Sequence, residues 1–210
     1  MAHNASVILS KLKKAYPNAH IVLRYHTSWE LLVAVMLSAQ CTDVTVNKVT
    51  EKLFTKYKTL DAYVHADPTV FEQDIKSTGF YHNKAKNVLA AAKLIKTKFN
   101  GSIPKTMDEM LAIPGVGRKT ANVVLGNAYG VVAGIAVDTH VSRLSRRLRL
   151  VNPDTADPEK IEKELMAVIP KKDWFGLTYL LIDHGRAMCK AKNPDCAGCV
   201  LAKLCPSMVS

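Results

Sequence analysis

The stretch Ile113-Pro114-Gly115-Val116-Gly117-Arg118-Lys119-Thr120-Ala121 sets two glycines and a lysine at the head of an apolar helical pattern that continues through Val123, Val124 and Leu125. Proline closes the preceding helix, because the residue before it is driven out of the helical region. Glycines lack Cβ, so their backbone N–H groups can approach a ligand closely, and a helix N-terminus adds unsatisfied donors and a partial positive charge. The pattern therefore suits an anionic phosphate with an amine beside it. A plain connection between two helices, with Lys119 a solvated side chain, is the reading that the glycines alone leave open. A nucleotide-binding P-loop is excluded, since that motif needs four residues between its first glycine and a Gly-Lys-Ser/Thr ending, placed after a strand.

Working outward from this hairpin, helical periodicity dominates and period-two alternation is almost absent, which predicts an all-α chain. Thr106 and Glu109 form a capping box before a short helix that ends at Pro114, and Arg118 opens a helix to about Tyr129. Upstream, Thr27 and Glu30 form a second capping box ahead of Leu31 to Ala39, whose continuous apolarity marks a helix buried on most sides. Thr42 or Asp43 caps a helix to about Tyr57, with Val44, Val49, Leu53 and Phe54 on its buried side. From Lys84 to Phe99, apolar residues recur at helical spacing while Lys84, Lys86, Lys93, Lys96 and Lys98 form a basic solvated face. Downstream, Asp138 precedes a helix through Arg149, Asp157-Pro158 starts another, and Trp174 to Met188 is the last long helix. Gly130 to Ala136, small and apolar, is where the chain is expected to cross between substructures.

The 210 residues are 48% hydrophobic, enough for a substantial core, and the net charge of +11 favours an anionic partner. Nucleic acid is the first candidate. The longest apolar run, Leu31 to Leu37, is far too short to span a bilayer, so no membrane role is expected. The N-terminus has neither a signal-peptide core nor an arginine-rich transit pattern, which predicts a cytoplasmic protein.

Asp138, in Ala136-Val137-Asp138-Thr139-His140-Val141, lies 19 positions beyond Lys119 and just before a helix. It can be an N-cap, and the same position can hold an ionised carboxylate that stabilises positive charge developing on a sugar. Arg143, Arg146, Arg147 and Arg149 make the helix after it basic. Cys189, Cys196, Cys199 and Cys205 have the spacing C-x6-C-x2-C-x5-C, and four thiolates suit zinc or an iron–sulfur cluster. Only one short C-x2-C pair occurs, which leans against zinc. Lys190 and Lys192 make this loop basic, and Cys41 lies apart from it as a packed thiol.

The run Ile-Pro-Gly-Val-Gly-Arg-Lys-Thr-Ala-Asn-Val-Val-Leu closely resembles the helix-hairpin-helix of DNA glycosylases in the endonuclease III family, and Val-Asp-Thr-His resembles that family's catalytic aspartate motif. The resemblance covers essentially the whole chain. It implies a helix-hairpin-helix DNA glycosylase fold with a central helical domain over 22–133, and a second domain made from 1–21 with 134–210. Lys119 and Asp138 would face the cleft between them. It implies that backbone amides around Gly115, Val116 and Gly117 hold a DNA phosphate, and that Lys119 is the nucleophile. Asp138 would stabilise charge and assist proton transfer, with His140 a structural residue or a phosphate contact. It further implies that the four cysteines bind a [4Fe-4S] cluster of structural role.

By the same resemblance, Ser38-Ala39-Gln40-Cys41-Thr42-Asp43 matches the loop whose glutamine enters the DNA stack, and Thr78-Gly79-Phe80-Tyr81 matches the opposing wedge loop. The family's usual wedge is leucine, so Phe80 departs from the pattern. The implied activity is base excision repair of duplex DNA carrying oxidised pyrimidines or abasic sites, by a nucleoid-associated monomer that releases the base and nicks the strand. A monofunctional mismatch glycosylase and a non-catalytic DNA-binding protein are the alternatives.

Overall fold

The computed structural model describes residues 2–208, with side chains from residue 4 onward, and contains no strand among them. The chain groups into two compact units, Val22–Val131 and the pair Met1–Ile21 with Val132–Ser210. The first unit is continuous, whereas the second is assembled from both ends of the sequence.

In the continuous unit, α2 (Ser28–Leu37) is buried from Leu31 to Leu37 without interruption. Thr27 caps it by accepting from the Glu30 amide at 3.1 Å, while the Glu30 carboxylate reaches back to the amide of His26 at 2.6 Å. At Ser38 the backbone N–H is shared between Ala34 and Val35 carbonyls, so the helix tightens and stops at Leu37, short of the expected Ala39. The following helix, α3 (Asp43–Lys56), buries Val46, Val49, Thr50 and Leu53. Val44 was expected on that side and is instead 66% exposed, because it falls off the stripe that those four residues define. Phe54 is only half-buried.

Two short helices, α4 (Leu60–Val64) and α5 (Pro68–Ile75), pack on α6 (Tyr81–Lys98). Tyr57, Tyr63 and Phe71 form an aromatic knot joined by Trp29, with ring centroids 5.1 to 5.8 Å apart. In α6 the buried stripe is Lys84, Ala85, Val88, Leu89, Ala91, Ala92 and Ile95. Lys84 thus leaves the solvated face expected of it: it sits four residues before Val88 on the core side and is 7% exposed. The hairpin helices α7 (Met107–Leu111) and α8 (Arg118–Tyr129) complete this unit, and α8 packs on α2. Gly130 ends α8 in the left-handed conformation, φ 65°.

The second unit contains α1 (Ala2–Ala15), α9 (Thr139–Arg147), α10 (Pro158–Val168) and α11 (Trp174–Ala187). One core joins Ala5, Ile8, Leu9 and Leu12 of α1 to Leu177, Leu180 and Leu181 of α11 and to Val141 and Leu144 of α9. Asp157 caps α10 by accepting from Lys160, with Pro158 in the first turn where its missing N–H does no harm. Helix α9 stops short of the expected Arg149, which is itself left-handed at φ 53°. The cysteine-bearing segment follows α11.

Candidate functional site

The hairpin between α7 and α8 treats its two glycines differently. Gly115 has φ +77°, and a Cβ there would lie 2.8 Å from Cβ of Asn87, so both conformation and close approach demand glycine. Gly117 has φ −100° and ψ 177°, ordinary extended backbone, and a Cβ would meet nothing within 4 Å. The fold alone does not ask for glycine at 117. Among the described residues neither glycine donates its amide to a backbone carbonyl, whereas the Val116 amide, expected to face phosphate, donates to Ile113 at 3.1 Å and its side chain is buried. Val116 therefore acts through packing of the turn, and the open backbone lies at Gly115 and Gly117. Lys119 is the second residue of α8, half-buried, at the positive end of that helix.

Asp138 belongs to the other unit. It is the N-cap of α9, and its Oδ1 accepts from the Val141 amide at 2.8 Å. The carboxylate is half-buried and fixed in direction by this cap, so the capping role and a charge-stabilising role draw on one geometry. His140, the second residue of α9, is half-buried against α11, where a Cβ on Gly185 would lie 2.5 Å from its Nδ1. Arg143 Nη2 lies 3.2 Å from the same nitrogen.

The four cysteines line one cavity of about 210 Å³ walled by Leu144, Leu148 and Leu201. Burial pushes the Cys199 and Cys205 thiols up, and the neighbouring cysteines push the same way, so four thiolates gathered here call for a cationic group between them. No three His, Cys, Asp or Glu side chains among the described residues converge as a single-ion site. Donor chemistry and a shared cavity fit a polynuclear sulfur-bound group. The loop is held from α9: Arg147 donates to Cys189 Sγ at 3.3 Å and to the carbonyls of Lys190 at 2.8 Å and Ala191 at 3.0 Å, and Arg143 donates to the Cys189 carbonyl at 3.0 Å. Two of the three arginines of α9 are thus engaged in holding the cysteine loop. Lys190 and Lys192 themselves are exposed, and Cys41 lies in the other unit.

Gln40 and Phe80 are both exposed and both left-handed, at φ 51° and 49°. Non-glycine residues adopt this conformation at a cost of about 1–2 kcal/mol, and such strain gathers at functional positions. Phe80 is 65% exposed, which removes the alternative that it packs into the core. The residue that sequence reasoning missed is Lys84: its Nζ donates to the Leu37 and Thr78 carbonyls, each at 2.8 Å, just ahead of the Gln40 and Phe80 segments. Its helical register with Val88 and Ile95 carried that signal.

A profile of HhH-GPD superfamily base excision DNA repair proteins matches residues 33–171. The endonuclease III of Synechocystis sp. is 51% identical over 203 residues, 97% of this chain and 92% of that protein. That of Bacillus subtilis is 48% identical over 94% of this chain and 89% of its own length. A non-covalent endonuclease III–DNA complex and a trapped endonuclease III–DNA covalent intermediate each superpose with TM-score 0.94 and 44% identity, over 99% of this chain and 96% of theirs. A thermostable thymine-DNA glycosylase shares the fold at TM-score 0.85 and 20% identity. Hairpin, capped aspartate and overall match agree, and the chain belongs to the endonuclease III family of DNA glycosylases and AP lyases, within the HhH-GPD superfamily of base excision DNA repair proteins.

Proposed function

We propose that this protein acts as a monomer on duplex DNA of the nucleoid, removes oxidised pyrimidines and cleaves abasic sites, with Lys119 as nucleophile and Asp138 stabilising charge on the sugar and assisting proton transfer. The amine of Lys119 forms a bond to the sugar C1′ while the glycosidic bond breaks and the base leaves with the bonding electrons. Ring opening gives a Schiff base. Loss of a C2′ proton to a base then breaks the C3′–O bond, giving a 5′-phosphate on one fragment, and water hydrolyses the imine to free Lys119 and leave an unsaturated sugar aldehyde on the other. The ionised Asp138 favours positive charge on the sugar as the base departs.

The observation that carries this reading is the hairpin, in which Gly117 is a glycine that the fold does not require, two residues before a lysine at a helix N-terminus. That arrangement suits a phosphate held against bare backbone with an amine alongside. Relatives support covalent chemistry, since one solved complex is a trapped endonuclease III–DNA covalent intermediate.

Cys189, Cys196, Cys199 and Cys205 would hold a [4Fe-4S] cluster, which when bound cross-links the loop and fixes the exposed Lys190 and Lys192 toward the phosphate backbone. Gln40 and Phe80 would enter the duplex as the base is flipped out, Gly115 and Gly117 would hold a phosphate, and His140 would be a structural residue or a phosphate contact of its own unit. Borohydride is expected to trap the protein covalently on DNA containing thymine glycol, and Lys119→Gln to abolish the adduct. Normal cutting by that variant would end the proposal. Base release without strand scission by the parent protein would favour the mismatch-type alternative.

A further inference from the structure

Lys84 is the one buried lysine among the described residues, and nothing in the chemistry above uses it. A hydrocarbon side chain would fill the same place on the α6 stripe without taking an ammonium out of water. Burial pushes its pKa below the ordinary lysine value, with the Cys41 thiol nearby partly offsetting this. What the ammonium does there is specific. One proton goes to the carbonyl of Leu37, the last residue of α2, where the helix dipole puts negative charge. Another goes to the carbonyl of Thr78, the last residue of the short 3-10 turn Lys76–Thr78.

Each of those carbonyls stands immediately before a strained segment. Three residues beyond Leu37 comes Gln40 at φ 51°, and two beyond Thr78 comes Phe80 at φ 49°. Both segments are otherwise closed by short-range bonds of their own, Cys41 to Ser38 at 3.1 Å and Gly79 to Lys76 at 3.3 Å, which shape each turn but do not set one against the other. Among the described residues, Lys84 donates to both the Leu37 and the Thr78 carbonyl and so ties one segment to the other.

We propose that Lys84 is a positioning residue for duplex opening, its ammonium bridging the Leu37 and Thr78 carbonyls so that Gln40 and Phe80 are presented at a fixed separation. This rests on the reading that Gln40 and Phe80 enter the duplex. A pair of side chains replacing an extruded nucleotide must match the gap in the stack, and misplacement by ~1 Å can cost up to about a hundredfold in rate. The bridge touches no reacting atom, so its loss should tell only where the duplex has to be opened.

The test compares single-turnover base release from one lesion, dihydrouracil, placed in a fully paired duplex and in a bubble of unpaired bases. Lys84→Met is expected to lower the ratio of paired to bubble rates roughly tenfold or more, and Lys84→Arg, which keeps charge and two donors, to restore most of it. A general loss of structure would lower both rates and leave the ratio alone, and that outcome overturns the proposal, as does a ratio equal to the parent's. Gln40→Ala and Phe80→Ala are run beside it. If these lower the ratio and Lys84→Met does not, the bridge is dispensable while the loop reading stands. If none of the three lowers it, the loop reading falls and the proposal with it. Should Lys84→Met fail to accumulate as folded protein, Lys84→Gln, which keeps a donor without the charge, is judged by the same ratio.

Discussion

Arg147 reaches from α9 to Cys189, donating from Nη1 to Sγ at 3.3 Å, and the same guanidinium holds the next two carbonyls of the cysteine loop. A planar, permanently charged fork suits several acceptors at once in a way that a lysine would not. Arg147→Met keeps bulk but leaves those carbonyls to water, and hydrogen bonds to charged groups are worth about 1.5–3 kcal/mol each. If the four cysteines hold a cluster, its visible absorbance is expected to decay faster in this variant under a chelator. Decay at the parental rate would show that the guanidinium does not hold the loop.

The two hairpin glycines are expected to fail in different ways. Gly115→Ala forces a side chain into φ +77° and against Asn87, a conformational penalty of about 1–2 kcal/mol before any repacking, so its melting temperature should fall. Gly117→Ala meets no neighbour and should melt close to the parent, while its affinity for duplex DNA drops because the new methyl stands between backbone and phosphate. Thermal melts with fluorescence anisotropy on the same preparations separate the two. A Gly117→Ala protein that binds DNA as tightly as the parent would remove the phosphate role from that residue.

Tyr63 is fully buried, and its hydroxyl has no hydrogen-bond partner among the described residues. An unmatched buried hydroxyl costs about 1–3 kcal/mol, so Tyr63→Phe should be neutral or stabilising at pH 7. Burial, and then the Glu30 carboxylate, raise the phenol above its ordinary value of 10.0. In the window above pH 10 the folded chain therefore keeps a proton that the unfolded chain releases, and stability falls as pH rises. Tyr63→Phe should lose stability less steeply there, as read from denaturation midpoints at pH 9 to 11.

Gly185 gives His140 its place. A methyl at 185 would sit 2.5 Å from Nδ1 and 3.1 Å from Arg143 Nη2, so Gly185→Ala should displace the imidazole and lower stability by about 1–3 kcal/mol. The His140 ring resonances in NMR spectra report the displacement directly, and unshifted resonances would refute it.

Much of this was legible in the chain because helix ends announce themselves chemically. Thr27, Thr42, Thr106, Asp138 and Asp157 each accept from an amide three residues on. The same signal, Asp67-Pro68, opens α5, a helix that periodicity alone does not reveal because it is only eight residues long. Val44 and Lys84 depart from expectation for opposite reasons. Val44 reads as core because it is apolar, yet it lies off the helical stripe. Lys84 reads as surface because it is charged, yet it lies on that stripe, where its register with Val88 outweighs its chemistry. Gln40 and Phe80 carry no local signal for left-handed backbone, since neither is Gly, Asn or Asp. Arg143 and Arg147 resemble any basic helical face until the loop they hold, some 45 residues away in sequence, is brought to them.

The second unit closes its core by bringing Leu12 of α1 against residues near Leu177 of α11, so its first helix has no partner until most of the chain exists. Val22–Val131 is continuous in the sequence. During synthesis the continuous unit can therefore become protease-resistant early, while α1, a short helix below the length that is stable alone in water, waits for the cysteine-bearing end. Ribosome-bound chains halted at about residue 160 should accordingly protect the central unit and leave the first fifteen residues open to cleavage. Whatever group the four cysteines hold would then be captured among the last events in maturation, after the segment around the hairpin has been made.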